Sequence, residues 1–151
     1  MTDDSRLADR VTLLRGGWLF SECTDDELER VAALAHPVRF PQGQVIVREG
    51  EPGDEFYVVV DGTTRVTVED APIADIGPGS FFGEMALLDG GERVATVTAI
   101  SDVELLMLHR DEFNEMLMLA MPTIAPKLLA VVGRRVRALE ARQGRGMPFG
   151  V

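Results

Sequence analysis

Cysteine and histidine are scarce in this sequence of 151 residues, which contains one Cys and two His. The single cysteine, Cys23, has no partner for an internal disulfide, so a disulfide-stabilised scaffold is excluded and a reducing compartment is favoured. Two histidines without an H-x-H pattern argue against metal-dependent enzymes that cluster imidazole ligands. We therefore interpret Cys23 as a packing residue and His36 and His109 as strand-end residues, and we expect no metal site.

Positive charge is also scarce, because 15 Lys and Arg face 25 Asp and Glu and leave a net charge of −10. This balance argues against general attraction to DNA, RNA or an anionic membrane, but not against one small anion held by a local site. Residues 1–115 carry nine Arg against 24 acids (−15), whereas residues 116–151 carry six Lys and Arg against one Glu (+5). A basic segment on an acidic body is typical of a nucleic-acid tail, or of a helix that docks on its own domain or on a partner.

Long apolar runs are missing too. The most apolar stretch, residues 116–133, is interrupted by Pro122, Pro126 and Lys127, whereas a membrane-spanning helix needs about 20 mostly apolar residues. The N-terminal sequence MTDDSRLADR begins with acids and lacks the apolar core of a signal peptide. We therefore predict a cytoplasmic protein without membrane contact, and the length fits one folded domain.

Helical periodicity marks residues 1–35. Thr24 followed by Glu27 has the pattern of a capping box, which predicts a helix that ends near Ala35. An earlier amphipathic helix is predicted from apolar residues spaced four and three apart. The apolar stripes of the two helices are Leu7, Val11 and Leu14, and then Leu28, Val31 and Leu34.

From residue 36 to 110 the pattern changes to short alternating runs rich in β-branched residues and separated by Gly, Pro and Asp. These runs predict antiparallel strands packed as a β-roll or jelly roll, and hence an α+β fold that is mainly β. The predicted strands are VRF, QVIVRE, EFYVVV, TRVTVE, VATVTAI and VELLMLH, with a turn at residues 69–72.

Residues 111–143 are predicted to form two helices, followed by a flexible tail at 144–151. Pro122 should separate a first helix from a longer one that runs from Thr123 to about Gln143. The cluster Arg134–Arg137 is interpreted as a solvated helix edge, with a partner or DNA contact as the alternative. A coiled-coil-like seam on the longer helix predicts a homodimer; it consists of Ala125, Leu129, Val132, Val136 and Leu139.

Residues 77–96 do not follow the strand pattern and carry the candidate chemistry. Five glycines surround residues 84–88, which can form just over one helical turn whose first amides would face an anion. Gly83 allows close approach of the backbone to a ligand, and Arg93, at the start of the next strand, can offer a bidentate fork to phosphate. Glu84 is suited to accept a hydrogen bond from a sugar hydroxyl. Together these features indicate a receptor for a singly charged sugar phosphate.

The segment FGEMALLDGGERVATVTA resembles the phosphate-binding cassette of cyclic nucleotide-binding domains, the family of catabolite activator protein and of the regulatory subunit of cAMP-dependent protein kinase. Phe82-Gly83-Glu84, Ala86-Leu87 and Arg93 stand at the family spacing. The N-terminal helices, the run PQGQVIVREGEPGDEFYVVVDGTTRV, the cassette and the C-terminal helices follow the family order. The resemblance therefore covers nearly the whole chain and implies that helices 111–143 act as lid and dimer contact.

By position, the resemblance implies that Glu84 accepts a ribose 2′-hydroxyl and that Arg93 pairs with the exocyclic oxygens of a cyclic phosphate. Backbone amides of Gly83, Glu84, Ala86 and Ala95 would complete the cradle, and Val66 and Ile73 would form apolar walls. The implied ligand-binding set is Gly83, Glu84, Met85, Ala86, Arg93, Val94, Ala95, Val66, Ile73 and Leu139.

The sequence departs from the family pattern in two places, at Val94 and at the neighbouring pair Leu139 and Glu140. Val94 stands where many cGMP-preferring relatives carry Thr, so the hydroxyl for the guanine amino group is missing and cAMP is favoured over cGMP. Leu139 and Glu140 stand where catabolite activator protein carries small hydroxyl residues near the purine. Leu139 can cover the base and Glu140 can accept from an adenine amino group, or both can serve the dimer seam.

The leading hypothesis is a regulatory module, not an enzyme, because no nucleophile, base or metal set accompanies the cassette. Binding of cAMP, or of cGMP, would shift the C-terminal helices, and this movement would be transmitted through a dimer contact or to an unidentified protein partner. No other cofactor is expected. DNA binding is not expected, since nine residues after Arg142 are too few for a helix-turn-helix. The alternatives are a regulatory fragment of a catabolite-activator-type transcription regulator, of a channel or of a kinase, and a degenerate domain that binds no nucleotide.

Overall fold

The computed structural model describes residues 2–17 and 19–143; Trp18 and the predicted tail at 144–151 lie outside the described residues. Within these ranges the chain forms four helices and eight strands. In chain order they are α1 (Thr2–Gly16), α2 (Asp25–Leu34), β1 (His36–Phe40), β2 (Val45–Val47), β3 (Glu55–Asp61), β4 (Thr64–Val68), β5 (Ala71–Ile76), β6 (Phe81–Phe82), α3 (Glu84–Asp89), β7 (Thr96–Ala99), β8 (Val103–His109) and α4 (Arg110–Gln143).

The strands form two antiparallel four-stranded sheets, in the orders β1-β8-β3-β6 and β2-β7-β4-β5. Apolar residues of both sheets meet in one buried cluster between them, so the sheets pack as a sandwich. Helices lie outside the first sheet and cover a second buried cluster. The predicted α+β fold with an antiparallel jelly-roll core is confirmed.

The central strands of the first sheet, β3 and β8, are buried on both faces. On β3, Phe56 and Val58 pack towards the helices, whereas Tyr57 and Val59 pack towards the second sheet. This two-sided burial explains why the strand is a continuous apolar run and does not alternate with polar residues.

The predicted capping box begins α2. The Thr24 hydroxyl accepts from the Glu27 backbone N–H at 3.2 Å, and the Glu27 carboxylate accepts from the Thr24 N–H at 2.8 Å. Leu28 and Val31 are buried as expected. In α1, Leu14 is buried and Val11 is partly buried, while the side chain of Leu7 lies outside the described residues.

The prediction of two C-terminal helices is wrong, because α4 continues through Pro122 and Pro126. A proline inside a helix costs about 3 kcal/mol, but burial of each large apolar side chain contributes about 1.5–3 kcal/mol. Both prolines lie on the exposed face, and the buried face continues on either side of them. That face consists of Phe113, Met116, Ala120, Ile124, Leu128 and Val131.

The predicted turn at residues 69–72 is too long. Val68 pairs with Ala71, so the reversal takes only Glu69 and Asp70, whose φ angles are 51° and 67°. Positive φ at both central residues matches the twist of the flanking strands in a two-residue hairpin. Pro72 is accommodated within β5 because β5 is an edge strand.

The prediction that Arg93 begins a strand is also wrong, because β7 starts three residues later at Thr96. Main-chain bonds hold Arg93 against the loop before β3 instead. Its N–H donates to the Glu51 carbonyl at 2.8 Å, and its carbonyl accepts from the Gly50 N–H at 2.9 Å. The loop before β3 thus holds the backbone of Arg93, the residue implied to bind the phosphate.

No helix in the described part of the chain is long and apolar enough to cross a membrane.

Candidate functional site

The short helix predicted at residues 84–88 is confirmed as α3, which follows β6 after the single residue Gly83. Gly83 is the N-cap and has a φ of 97°, a left-handed conformation that glycine adopts without strain. The first amides of a helix have no partner within it. The cassette therefore presents backbone donors beside the start of α3.

All ten residues of the implied ligand-binding set line one cavity of about 500 Å³. Val66 and Ile73 belong to the second sheet, Leu139 belongs to α4, and the other seven belong to the cassette. The volume is typical of a small-molecule site. Glu140 does not line this cavity and is exposed, so the structure separates it from its neighbour Leu139.

Arg93 is a buried cation in this cavity, with 6% of the residue exposed. Its Nη2 lies 3.3 Å from Glu55 Oε1, and its Nη1 donates to the Gly83 carbonyl at 3.4 Å. Burial lowers the pKa of Arg93, and the nearby Glu55 carboxylate opposes that shift. Arginine remains charged nonetheless, so the cavity contains a desolvated cation whose contacts are long and can be replaced.

Glu84 is the buried anion of the same cavity, with 1% of the residue exposed. Arg135 of α4 reaches it, with 2.5 Å between Arg135 Nη1 and Glu84 Oε1. Arg135 also donates to the Phe81 carbonyl at 2.6 Å and lies 4.9 Å from the centre of the Phe81 ring. The carboxylate implied to bind a ribose hydroxyl is therefore paired with the C-terminal helix.

Sequence reasoning missed Arg135 and Glu55. The interpretation of Arg135 as part of a solvated helix edge is wrong, because its side chain is only 25% exposed and bonded inside the cavity. A signal for Arg135 was present: it follows Val131 by four residues and so continues the buried face of α4. Glu55 had no such signal, because as the first residue of β3 it is one of several acids in residues 49–55 and nothing local distinguishes it.

Replacement of Gly83 by Ala should destabilise the cassette. A Cβ at Gly83 would lie 2.6 Å from the Glu55 carbonyl oxygen and 3.0 Å from Arg93 Nη1, at a φ unfavourable for alanine. We expect a loss of about 1–3 kcal/mol of unfolding free energy in chemical denaturation.

Gly90→Ala is the matched control for this change. Gly90 also has positive φ, at 71°, but a Cβ there meets nothing within 4 Å. It should cost only about 1 kcal/mol for the backbone. Equal losses in the two variants would show that the contact between Gly83 and its neighbours is not tight.

A family model described as the cyclic nucleotide-binding domain matches residues 37–119. The cAMP-dependent protein kinase regulatory subunit of Dictyostelium discoideum is 42% identical over 60% of this chain and 31% of its own length. The cyclic AMP receptor protein of Thermus thermophilus is 33% identical over 82% of this chain and 59% of its own. The chain thus spans less than two thirds of either relative.

A solved structure, the regulatory domain of Toxoplasma gondii PKA in co-crystals with cAMP, is 25% identical with a TM-score of 0.78, and the match covers 87% of this chain and 51% of that one. The match to the family model extends from β1 into α4 and includes the whole cassette. Fold, cassette geometry and sequence similarity agree, and this chain belongs to the cyclic nucleotide-binding domain family.

Proposed function

We propose that this chain is a sensor that binds cAMP in the cavity beside α3 and transmits binding through α4. One observation carries the proposal: the buried cation Arg93 and the buried anion Glu84 line the same apolar-walled cavity. Burial of charge is costly unless the charge meets a partner. Each charge has a protein partner in the structure, Glu55 for Arg93 and Arg135 for Glu84. A ligand with one phosphate charge and a sugar hydroxyl can replace both partners.

The chemistry of the two groups fits the two ends of a ribose cyclic phosphate. The Arg93 guanidinium can donate two parallel hydrogen bonds to phosphate oxygens, which are stronger than its present contact to Glu55 at 3.3 Å. The amides of Gly83, Glu84, Ala86 and Ala95 are proposed to complete the phosphate cradle. Glu84 accepts from the 2′-hydroxyl, so a 2′-deoxy analogue loses one bond to a charged group.

The base is proposed to lie against the apolar walls, with adenine preferred over guanine. Val66, Ile73 and Leu139 offer carbon surfaces in the cavity. Val94 lies at the same cavity, is 37% exposed and has no hydroxyl to meet a guanine amino group. The preference for cAMP therefore depends on the absence of a partner for guanine.

Two arginines link α4 to the cassette, and this linkage is the proposed route of the signal. Arg110, at the start of α4, donates to the Leu87 carbonyl of α3 at 3.3 Å and to the Gly53 carbonyl at 2.9 Å. Arg135 is paired with Glu84. A ribose hydroxyl at Glu84 displaces Arg135, and the far part of α4 then repositions while its start stays attached. Binding thus shifts a population of α4 conformations.

We further propose that α4 forms a homodimer through its outward face. Leu129 and Val136 belong to the predicted seam and are 67% and 38% exposed, so both are accessible to a second copy of the chain. Val132, also in the seam, packs partly against the buried cluster of its own domain. The exposed seam positions are therefore the ones to test.

Leu129→Asp should leave a monomer of unchanged fold. A charge at the centre of an apolar contact is desolvated without a partner, which opposes association. Light scattering should report the mass of a dimer for the wild type and about half of it for the variant. Arg137→Gln, also on an exposed position of α4, is the control and should remain dimeric. A wild-type chain that is monomeric at all concentrations would contradict the dimer.

A thermal-unfolding screen tests the proposed ligand. A ligand at about 100 times its dissociation constant adds about 2.7 kcal/mol to the stability. We expect stabilisation by cAMP, less by cGMP, and none by adenosine, which lacks the phosphate, or by 5′-AMP, whose phosphate is not cyclic. Absence of a shift with every cyclic nucleotide would identify a degenerate domain. The regulated partner, in this chain or another, is then sought by capture with and without cAMP.

A further inference from the structure

Two histidines and a glutamate meet on the surface where β1, β8 and α4 come together. One possible ligand atom from each of His36, His109 and Glu112 lies within 4.8 Å of the others. His36 Nε2 lies 2.7 Å from Glu112 Oε2, and the two imidazole ring centres are 5.5 Å apart. None of the three residues lines the nucleotide cavity, to which α4 contributes only residues from Val131 onwards.

The sheet register holds the two imidazoles side by side. His36 of β1 pairs with Met107 of β8, and His109 is two residues further along β8. Since side chains two residues apart lie on the same face of a strand, His36 and His109 project from the same face as diagonal neighbours.

The start of α4 fixes the carboxylate. Glu112 Oε1 accepts from the His109 backbone N–H at 2.9 Å, which places it as the third residue of a capping interaction. This bond leaves Glu112 Oε2 directed at His36. The backbone of all three residues is thus held by regular structure, while their side chains remain accessible to solvent: His109 is exposed, and the side chains of His36 and Glu112 are 50% and 25% exposed.

We propose that His36, His109 and Glu112 form a binding site for Zn²⁺. Two imidazole nitrogens and one carboxylate oxygen are a ligand set that Zn²⁺ takes, with water in the fourth position. Tetrahedral Zn²⁺ holds ligand atoms about 3.3 Å apart. The 2.7 Å contact between His36 and Glu112 must therefore open by about 0.6 Å. The other two separations, which do not exceed 4.8 Å, must close by at most about 1.5 Å, which rotation of exposed side chains can supply.

The single thiol does not compete for the metal. Cys23 is buried in the helical cluster, and burial, the largest cause, raises the pKa of its thiol to about 11. Because Zn²⁺ binds the thiolate and not the thiol, the two imidazoles are the strongest accessible ligands in the described part of the chain.

Calorimetric titration of the full chain with ZnCl₂ tests the site, together with the NMR signals of the imidazole nitrogens. We expect one Zn²⁺ per chain with micromolar affinity, and signals of both histidines that move together, which is decisive because the chain has only two. His36→Gln, His109→Gln and Glu112→Gln should each weaken binding at least tenfold.

Glu115→Gln, an exposed acid on the same helix outside the cluster, is the control and should bind Zn²⁺ as the wild type does. If a histidine variant does not fold, as judged by circular dichroism, the joint movement of the wild-type imidazole signals decides. The proposal is overturned by no saturable binding at about 1 mM Zn²⁺, by movement of one imidazole alone, or by affinity that folded variants retain.

Discussion

Arg93→Gln is expected to weaken cAMP binding by about 2–5 kcal/mol, the cost of removing one partner from a buried charged pair. The variant loses both the cation and the fork that match a cyclic phosphate, in a cavity where solvent cannot compensate. Calorimetric titration with cAMP measures the effect. Arg93→Lys should fall between the variant and the wild type, because the ammonium retains the charge without the bidentate geometry.

The matched control for this substitution is Arg39→Gln. Arg39 is an exposed arginine of β1 whose partner, Glu104, lies outside the cavity, so its loss changes the net charge by the same amount without touching the site. Its affinity for cAMP should equal that of the wild type. Equal affinities for Arg93→Gln and Arg39→Gln would remove Arg93 from the phosphate site.

Arg135→Gln is expected to tighten cAMP binding about tenfold. In the structure Arg135 is paired with Glu84 at 2.5 Å, and a charged hydrogen bond of this kind contributes about 1.5 kcal/mol net. The ribose hydroxyl must replace Arg135 at Glu84. The apparent affinity for cAMP is therefore the intrinsic affinity multiplied by the small fraction of molecules in which the Arg135–Glu84 pair is open. Removal of Arg135 abolishes that competition.

In the absence of nucleotide, Arg135→Gln should be less stable than the wild type. Glu84 is left buried without its cationic partner, so we expect a loss of about 1–3 kcal/mol of unfolding free energy that cAMP largely restores. Arg137→Gln, on the exposed side of α4, should change neither quantity. Weaker cAMP binding by Arg135→Gln would mean that Arg135 contacts the nucleotide and does not compete with it.

Local sequence signals predicted most of the fold. The capping box at Thr24 and Glu27 depends on neighbours three residues apart, and the strand runs depend on alternation and turn residues. The C-terminal helix was mispredicted because the intrinsic effect of Pro122 is local, whereas the burial that overrides it comes from packing of α4 against distant elements. Sequence alone does not give that packing energy.

In the candidate site, too, the residues that lie close together in the sequence could be predicted, and the pairs that lie far apart could not. Glu84 and Arg93 stand nine residues apart within one motif, and both line one cavity. Arg135 is 51 residues from its partner Glu84, and His36 is 76 residues from Glu112. Pairings over such distances depend on the register of β1 with β8 and on the path of α4. They had to be found in the structure.

The claim that this cavity is a cyclic-nucleotide site is tested most directly by calorimetric titration of the wild-type chain with cAMP. We expect saturable binding of one cAMP per chain, and no heat of binding for adenosine at the same concentrations. Absence of saturable cAMP binding, or equal binding of adenosine, would contradict it, because recognition by Arg93 requires the phosphate.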